Sequence, residues 1–365
     1  FKTKPFVVSF LHPSLADFRK YVQSYQQRQV TKYIELAINQ FNPFINDLAE
    51  VKLINHRKAQ VKGTMTNNHQ TCGLSESLFV KEGLQSFVIE LTDCIIEEKR
   101  YLFKPSQSIK VKEKDGIYTV DNGVLVYQAD INHSDSIFSL KFDGDEWIDA
   151  NYPTPEERAW WASFVGGITQ RVAGIQDYVA IHEKRDMTFV EINDQFNNLW
   201  QGLKITTLYQ SDPLLKGLTM EHYLLTMPGL ALIHTFSQII NQTGKLIRQK
   251  YFNRGYALKF NHLQDQVRFT EKDVIYKVGE QAIDLKIDHL LMLRSTRNHQ
   301  LALYSPINDL LFDSQKEYLM VFAEKPLSIA DQEKKFFPGE FLFFTKDSLK
   351  KEDLCLLDHV HFDLT

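Results

Sequence analysis

The stretch Glu113-Lys114-Asp115-Gly116-Ile117-Tyr118-Thr119-Val120 decides the expected fold, because six of its eight positions recur in Glu271-Lys272-Asp273-Val274-Ile275-Tyr276-Lys277-Val278. Other pairs keep the same order in both halves: Tyr21-Val22 with Tyr178-Val179, Gln40-Phe41-Asn42 with Gln195-Phe196-Asn197, Gly73-Leu74 with Gly217-Leu218, and Ile95-Ile96 with Ile239-Ile240. Collinear similarity of this kind is typical of internal repeats. The sequence therefore predicts a tandem duplication.

A boundary between the two copies is predicted near residue 150. Thr154 has the chemistry of a helix N-cap, Pro155 suits the first helical position, and Glu157 follows three residues after the cap. Together these residues are typical of a helix start. We therefore predict two related domains, residues 1–150 and 151–365.

Long helices are predicted at the centre of each copy. In the first copy, the helix predicted from Ser75 carries apolar residues at i, i+3, i+4, i+7 and i+11, namely Leu84, Phe87, Val88, Leu91 and Ile95. In the second copy, the corresponding residues are Leu230, Ile233, Phe236, Ile239 and Ile240. This spacing puts the apolar side chains on one face of a helix.

Alternating stretches after each helix predict strands. Residues 117–120 alternate, Asp121-Asn122-Gly123 is a strong hairpin signal, and residues 124–127 and 137–142 continue the pattern. The expected fold class is α+β, with helices followed by an antiparallel sheet in each copy. A C-terminal β extension containing residues 319–322, 341–344 and 354–364 has no partner in the first copy.

Composition limits the classes of function. The chain has 365 residues and a net charge of −4, which argues against a general nucleic-acid binder. No apolar run approaches the roughly 18 residues of a membrane helix, so no transmembrane segment is expected. Nucleotide-binding loops and other cofactor motifs are absent, and no cofactor is predicted. Oligomeric state is left open by the sequence.

Three cysteines at wide spacing, Cys72, Cys94 and Cys355, do not form a disulfide framework. They predict a reducing, cytoplasmic compartment, while secretion into a host or by a leaderless route stays compatible with them. Cys72 also precedes the first predicted long helix, where the helix dipole would acidify a thiol. With a histidine as the base, Cys72 would be the nucleophile of a hydrolase or acyl transferase. His69, His182, His222 and His234 are available, no spacing selects one of them, and His222 and His234 are the candidates carried forward.

The C-terminal residues His359, His361 and Asp363 alternate, so on a strand they would share one face. Their side chains are of the types that bind zinc or iron, which makes them a candidate metal site. The segment from His182 to Asp186 resembles part of a zinc-protease motif but lacks its second histidine.

The signals shared by both copies are structural and include no repeated acid, base or metal ligand. The preferred hypothesis is therefore a non-catalytic binding protein that engages a protein or an apolar ligand. Its expected groove lies between the two domains and is lined by Trp160, Trp161 and Trp200. The cysteine-dependent enzyme is the alternative hypothesis.

Overall fold

The protein was analysed as a computed structural model. It describes residues 34–36, 42–46, 53–55, 63–67, 70–73, 83–91, 95–103, 108–158, 161–172, 182–259, 263–269, 275–276, 282–287, 289–295, 299–307, 310–315, 318–347, 349, 351–362 and 364. The chain divides into two compact units. The first comprises Phe1–Asn42, Leu48–Val80 and Gln85–Lys99, and the second comprises Pro43–Asp47, Lys81–Leu84 and Arg100–Thr365.

The described secondary structure is almost entirely β. The strands up to residue 103 are β1 (Ile34–Leu36), β2 (Phe44–Asn46), β3 (Leu53–Asn55), β4 (Gly63–Asn67), β5 (Thr71–Gly73), β6 (Gly83–Leu91) and β7 (Ile95–Phe103). The next group is β8 (Lys110–Lys114), β9 (Ile117–Asp121), β10 (Leu125–Asp130), β11 (Ile137–Phe142), β12 (Asp145–Glu146), β13 (Glu156–Arg158), β14 (Trp161–Phe164) and β15 (Ile168–Val172).

Longer strands follow. They are β16 (Lys184–Asn193), β17 (Leu199–Leu208), β18 (Leu218–Thr226), β19 (Leu232–Asn241), β20 (Ile247–Ala257), β21 (Leu263–Phe269) and β22 (Ile275–Tyr276). The last strands are β23 (Ala282–Ile287), β24 (Leu290–Ser295), β25 (Gln300–Tyr304), β26 (Leu310–Gln315), β27 (Tyr318–Ile329) and β28 (Lys334–Thr345). One short helix, α1 (Lys351–Leu354), leads into a 3-10 turn over Cys355–His359.

In the first unit, the described strands form small antiparallel pairings. β1 pairs with β3, and β4 pairs with both β5 and β6.

Two large antiparallel sheets form the second unit. Sheet I has the order β23-β26-β27-β20-β15-β11-β10-β9-β8, with β12 paired to β11, and sheet II has the order β16-β17-β18-β19-β28-β25-β24-β21-β22. Their facing sides share one apolar cluster that includes Ile168 and Tyr256 from sheet I and Ile233 and Leu342 from sheet II. The second unit is therefore a β-sandwich.

The α+β class expected from the sequence is wrong. The first predicted long helix is replaced by strands β6 and β7, the second by β19, and the helix predicted from Thr154 by the short strands β13 to β15. The predicted strands at 117–120, 124–127, 137–142, 319–322 and 341–344 are confirmed.

Burial on both faces explains the error for β19. One face of this strand points toward sheet I through Ile233 and Ile239, while Leu232 and Phe236 pack into a separate cluster on the opposite face. Because apolar residues occur on both faces of the strand and not at alternate positions, its sequence cannot be distinguished from a buried helix by periodicity.

In β6, burial alternates through Gln85, Phe87 and Ile89, with the intervening side chains half-buried. The polar Gln85 at a buried position masks the period-two pattern in the sequence. The apolar residues that remain therefore fit helical spacing by coincidence.

Strands on both sides of residue 150 pair within sheet I, since β11 contacts β15 and β15 contacts β20. The two repeated segments also differ in their surroundings. Tyr118 lies on β9, one strand in from the end of sheet I, whereas Tyr276 lies on β22, the last described strand of sheet II. The strand order around the two segments therefore gives the predicted duplication no support.

A polar layer crosses the interior of the sandwich and separates its two apolar clusters. Along several strands, successive inward-facing residues belong first to one apolar cluster, then to the polar layer, and then to the other apolar cluster. The polar residues are Gln170, His222, Thr235, Ser237, Arg254 and Glu340.

Arg254 Nη1 donates to Glu340 Oε2 at 2.6 Å, and Tyr256 donates to the same oxygen at 2.6 Å. Burial of an ion pair is costly unless its remaining polar atoms are bonded.

Among the described residues, no helix is both long and apolar enough to cross a membrane.

Candidate functional site

The candidate site is built around the loop between β10 and β11, residues 131–136. Short polar side chains shape this loop because they bond to their own backbone. Asp130 Oδ1 accepts from the amide of Asn132 at 2.8 Å, and the amide of His133 donates to the Asp130 carbonyl at 3.1 Å. The amide of Ser136 donates to Ser134 Oγ at 3.0 Å. The local sequence therefore fixes where His133 and Asp135 lie.

Tyr152 holds the other oxygen of Asp130. Its hydroxyl donates to Asp130 Oδ2 at 2.9 Å, and its ring stacks on Phe138 with centroids 3.8 Å apart and planes 5° from parallel. Burial, together with the nearby Asp130 carboxylate, raises the pKa of Tyr152 to about 12. The phenol therefore keeps its proton at neutral pH and acts as a hydrogen-bond donor.

Asp135 is completely buried, and within the described part of the chain neither of its carboxyl oxygens has a hydrogen-bond partner. Burial raises the pKa of this carboxyl to about 8, against the opposing effect of the Arg185 guanidinium. At neutral pH Asp135 is therefore mostly a carboxylic acid that still holds its proton. Buried polar atoms without partners are rare in proteins, so such an atom needs an explanation.

His133, unlike Asp135, is in a form that can accept a proton. Its Nδ1 lies 2.9 Å from the Pro153 carbonyl oxygen, which can only accept, so Nδ1 carries the hydrogen. Its Nε2 is buried without a partner among the described residues and therefore presents a lone pair. Burial lowers the pKa of His133, and the positive charge of Arg185 acts in the same direction. The imidazole is neutral at pH 7.

Arg185 reaches this loop from β16, at the edge of sheet II. Its Nε donates to the Ile131 carbonyl at 3.0 Å, and its side chain is half-buried. Burial lowers the pKa of Arg185, while the carboxyls of Asp135, Asp130 and Glu183 raise it. The guanidinium therefore lies within reach of three acidic groups.

Glu183 is fixed in turn by backbone amides, since it accepts from Gln210 at 2.6 Å and from Ser211 at 3.0 Å. With Asp135 protonated, one arginine is near two carboxylates, so the local charge disfavours an anionic ligand. A neutral, hydroxyl-bearing ligand fits the donors and acceptors better. Tyr152, Arg185 and the exposed Asn132 are the members of the cluster that reach solvent.

The structure does not place Cys72 at the position that the cysteine hypothesis expects. Cys72 lies within strand β5 of the first unit, so it is not at a helix amino terminus. His222 and His234 lie in the second unit on adjacent strands, β18 and β19. Both are buried, and burial lowers their pKa values, that of His234 to about 3. His234 stacks on Phe341 at 3.9 Å, which is a packing role.

Of the three tryptophans expected in a groove, Trp160 lies outside the described residues and Trp161 belongs to β14. Trp200 is completely buried, and its Nε1 donates to Asp194 Oδ2 at 3.1 Å. The indole nitrogen of Trp200 is therefore already bonded within the core.

The two described C-terminal metal candidates, His359 and His361, are not on a strand. His359 closes the 3-10 turn, His361 is exposed, and Asp363 lies outside the described residues. Within the described ranges, no group of three histidine, cysteine or acidic side chains is arranged to hold a metal ion.

Sequence reasoning missed His133, Asp135 and Arg185. A usable signal was present, because the connection between two predicted strands carries Asp130, His133 and Asp135 and is longer than a tight hairpin needs. Arg185 lay in a segment that was discounted only as a zinc motif. Its approach to the loop depends on sheet pairing that the sequence does not show.

No known protein family and no curated protein matches this sequence. Among solved structures, an alpha-galactosidase from Lactobacillus brevis is 9% identical with a TM-score of 0.43, covering 70% of this chain and 42% of its own. A TPR-domain containing protein from Parabacteroides distasonis is 10% identical with a TM-score of 0.46, covering 73% of this chain and 50% of its own.

A galactose mutarotase-like protein from Clostridium acetobutylicum is 7% identical with a TM-score of 0.43, covering 66% of this chain and 98% of its own. The chain spans about half the length of the first two structures.

Proposed function

We propose that this protein is an acid–base catalyst acting on a neutral, hydroxyl-bearing small molecule, with Asp135 as the proton donor and His133 as the proton acceptor. One observation carries the proposal. The carboxyl oxygens of Asp135 and the Nε2 atom of His133, two residues apart in one loop, are buried without partners among the described residues. At neutral pH the Asp135 carboxyl holds a proton that it can donate, and the His133 imidazole is neutral and can accept one.

Such a pair is what general acid–base catalysis requires. An effective acid still holds its proton at the working pH, and an effective base has already lost its own. In many active sites the local environment raises the pKa of the acid and lowers that of the base, which identifies the two groups. The pKa of Asp135 is raised and that of His133 is lowered, both mainly by burial.

Opening of a cyclic hemiacetal illustrates the reaction class. Asp135 gives its proton to the ring oxygen, the bond between that oxygen and the anomeric carbon breaks, and His133 Nε2 takes the proton of the anomeric hydroxyl. A carbonyl forms. Closure on the other face of the carbonyl reverses both transfers and restores the two side chains, so no further reactant is consumed.

Arg185 has a supporting role in this proposal. Its guanidinium stabilises the Asp135 carboxylate that forms after proton donation, since an opposite charge within a few ångströms favours the ionised form. Tyr152, stacked on Phe138 and bonded to Asp130, supplies a fixed aromatic wall beside the loop.

The test measures anomer interconversion of a panel of neutral monosaccharides by NMR exchange spectroscopy at pH 7. We expect the wild-type protein to accelerate at least one sugar, and we expect Asp135→Asn and His133→Gln each to lower that rate by about a hundredfold or more. Asparagine matches the shape of the protonated carboxyl, so the Asp135 variant is expected to fold.

Asp194→Asn is the matched control, because Asp194 is also a buried carboxylate but binds Trp200 away from the loop. It should keep the wild-type rate. Absence of acceleration for every sugar, or equal rates in the wild type and the two loop variants, would contradict the proposal.

The groove around the three tryptophans gains no support, since Trp200 is enclosed in the core. No contact among the described residues favours the cysteine-dependent alternative over the loop site.

A further inference from the structure

The polar layer inside the sandwich contains a compact set of side chains contributed by both sheets. Gln170 and Arg254 lie directly opposite each other on β15 and β20 of sheet I, and His222 and Ser237 do so on β18 and β19 of sheet II. Ser237 Oγ joins the sheets, because it donates to Gln170 Oε1 at 2.7 Å and accepts from Arg254 Nη2 at 2.8 Å. These four residues therefore surround one place in the core.

Several polar atoms at this place have no partner within the described part of the chain. They are Gln170 Nε2, Arg254 Nε, both ring nitrogens of His222 and the hydroxyl of Thr207 on β17. Thr207 lies on the same face as His222, since Ile205 is directly opposite His222 and Thr207 is two residues further along. All four residues are completely or almost completely buried.

So many unpartnered atoms side by side call for an occupant that is not part of the chain. Buried polar groups in proteins are nearly always bonded to protein, water or an ion. The free groups are mostly donors: the Arg254 Nε–H, the two Gln170 amide hydrogens, one His222 N–H and the Thr207 hydroxyl. An occupant rich in lone pairs fits them.

The charges of the layer indicate the sign of the occupant. Arg254 is paired with Glu340, while the half-buried Lys325 on β27 lies near both. Burial lowers the pKa of Lys325, and the Glu340 carboxylate opposes that shift. His222 is neutral because burial holds its pKa well below the ordinary value. Lys335 adds a further positive charge near Lys325, so the cations at this place outnumber the one carboxylate.

We propose that the layer binds a small monovalent inorganic anion of halide size, held by Arg254 Nε, Gln170 Nε2 and His222 inside the sandwich. The anion completes the hydrogen bonding of these side chains and neutralises the excess positive charge. This site is separate from the loop that carries Asp135 and stands independently of the proposed catalytic function.

Bromide is the probe, because its anomalous scattering identifies it without ambiguity. The wild-type protein is exchanged into bromide and crystallised, and we expect one anomalous peak within hydrogen-bond distance of Arg254 Nε and Gln170 Nε2. Ordered water at this place without anomalous signal would overturn the proposal. So would a side-chain rearrangement that pairs these atoms with each other.

Stability gives an independent readout. An anion that binds only the folded protein raises Tm as its concentration rises. We expect Tm to rise, with saturation, in bromide relative to gluconate at matched ionic strength. Identical Tm values in the two salts would overturn the proposal.

Matched variants assign the effect to the layer. Gln170→Leu should remove the dependence of Tm on bromide. The control is Gln238→Leu, which changes a buried glutamine on a different strand, β19, and should keep that dependence. Lys325→Met should weaken bromide binding about tenfold, and Lys334→Met, an exposed neighbour, should leave it unchanged. If Gln170→Leu does not fold, the wild-type anomalous measurement still decides the question.

Discussion

Asp135 and His133 are expected to set the pH range in which the loop site works. The rate should rise as His133 loses its proton below its ordinary pKa, and it should fall as Asp135 ionises at about pH 8. The measurement is a pH–rate profile with an active sugar. The charge of Arg185 favours the ionised form of Asp135, so Arg185→Met should raise the pKa of Asp135 and move the alkaline limb of the profile to higher pH. An unchanged alkaline limb would contradict this.

Asp135 should also make folding stability depend on pH. Its folded pKa of about 8 is higher than that of an unfolded aspartate, so the folded protein binds the extra proton between the two values. Its contribution is fully present below the unfolded pKa and is lost as pH rises toward 8. The loss is at most about 1.4 kcal/mol per pH unit.

This contribution is measured by denaturant unfolding of the wild type and of Asp135→Asn between about pH 5 and pH 8. That range lies roughly between the unfolded and the folded pKa of Asp135. The variant should become the more stable of the two as pH rises. Parallel curves for both proteins would show that Asp135 does not titrate in this window.

Asn122 connects the β9–β10 turn to the loop after β18. Its side-chain nitrogen donates to Thr226 Oγ1 at 2.7 Å, Met227 O at 3.0 Å and Leu230 O at 2.8 Å, and the residue is almost fully buried. Asn122→Ala removes the side-chain donor from these three buried acceptors, of which Met227 O and Leu230 O keep their backbone donors. We expect a loss of about 3 kcal/mol in the free energy of unfolding.

Asp121→Ala is the control for that change, because Asp121 Oδ1 accepts from the amide of Gly123 at the surface of the same turn. Chemical denaturation should show a much smaller loss for it. Equal losses would mean that Asn122 serves the turn alone. The sequence identified Asn122 only as a hairpin residue, since its partners lie about a hundred positions away.

At the scale of single elements, the contact between β19 and β28 depends on Gly339. The register shifts between Thr235 and Ser237, and a Cβ on Gly339 would lie 1.2 Å from the Thr235 carbonyl oxygen. Gly339→Ala must therefore separate the two strands beside Glu340. We expect a loss of about 3 kcal/mol or more in the free energy of unfolding.

Gly255→Ala is the matched change on β20. There the nearest atom to a new Cβ is the Thr169 hydroxyl oxygen at 3.1 Å, which a side-chain rotation can move. Its loss, measured in the same denaturant series, should be clearly smaller. A Gly339 variant as stable as this control would show that the strands can separate at little cost.

The same element scale shows why some strands were predictable and others were not. Burial alternates over the first four residues of β10, and the buried residues of β11 are interrupted by the less buried Phe138 and Lys141, so a period-two pattern is visible in this part of the sequence. β19 is buried on both faces, and its five apolar residues are spread over both of them, which removes that signal. The short turns were also predictable, because Asp121-Asn122-Gly123 has the local chemistry of a hairpin.

At the scale of the whole molecule, the order of strands in the two sheets could not be predicted. β20 pairs with β27 and β15, and β19 pairs with β28, across long separations in sequence. The candidate site depends on this order, because Arg185 comes from sheet II and Asp135 from a loop of sheet I. A sequence can show that an aspartate is present, but its burial and its raised pKa follow from the sandwich around it.

The most direct test is a carbon-13 NMR titration of protein labelled at the aspartate carboxyls, with Asp135→Asn to assign the Asp135 signal. The account predicts that Asp135 is still protonated at pH 7 and titrates at about pH 8. A signal for Asp135 that titrates near the ordinary value of aspartate would contradict it, since the loop would then hold no proton donor at neutral pH.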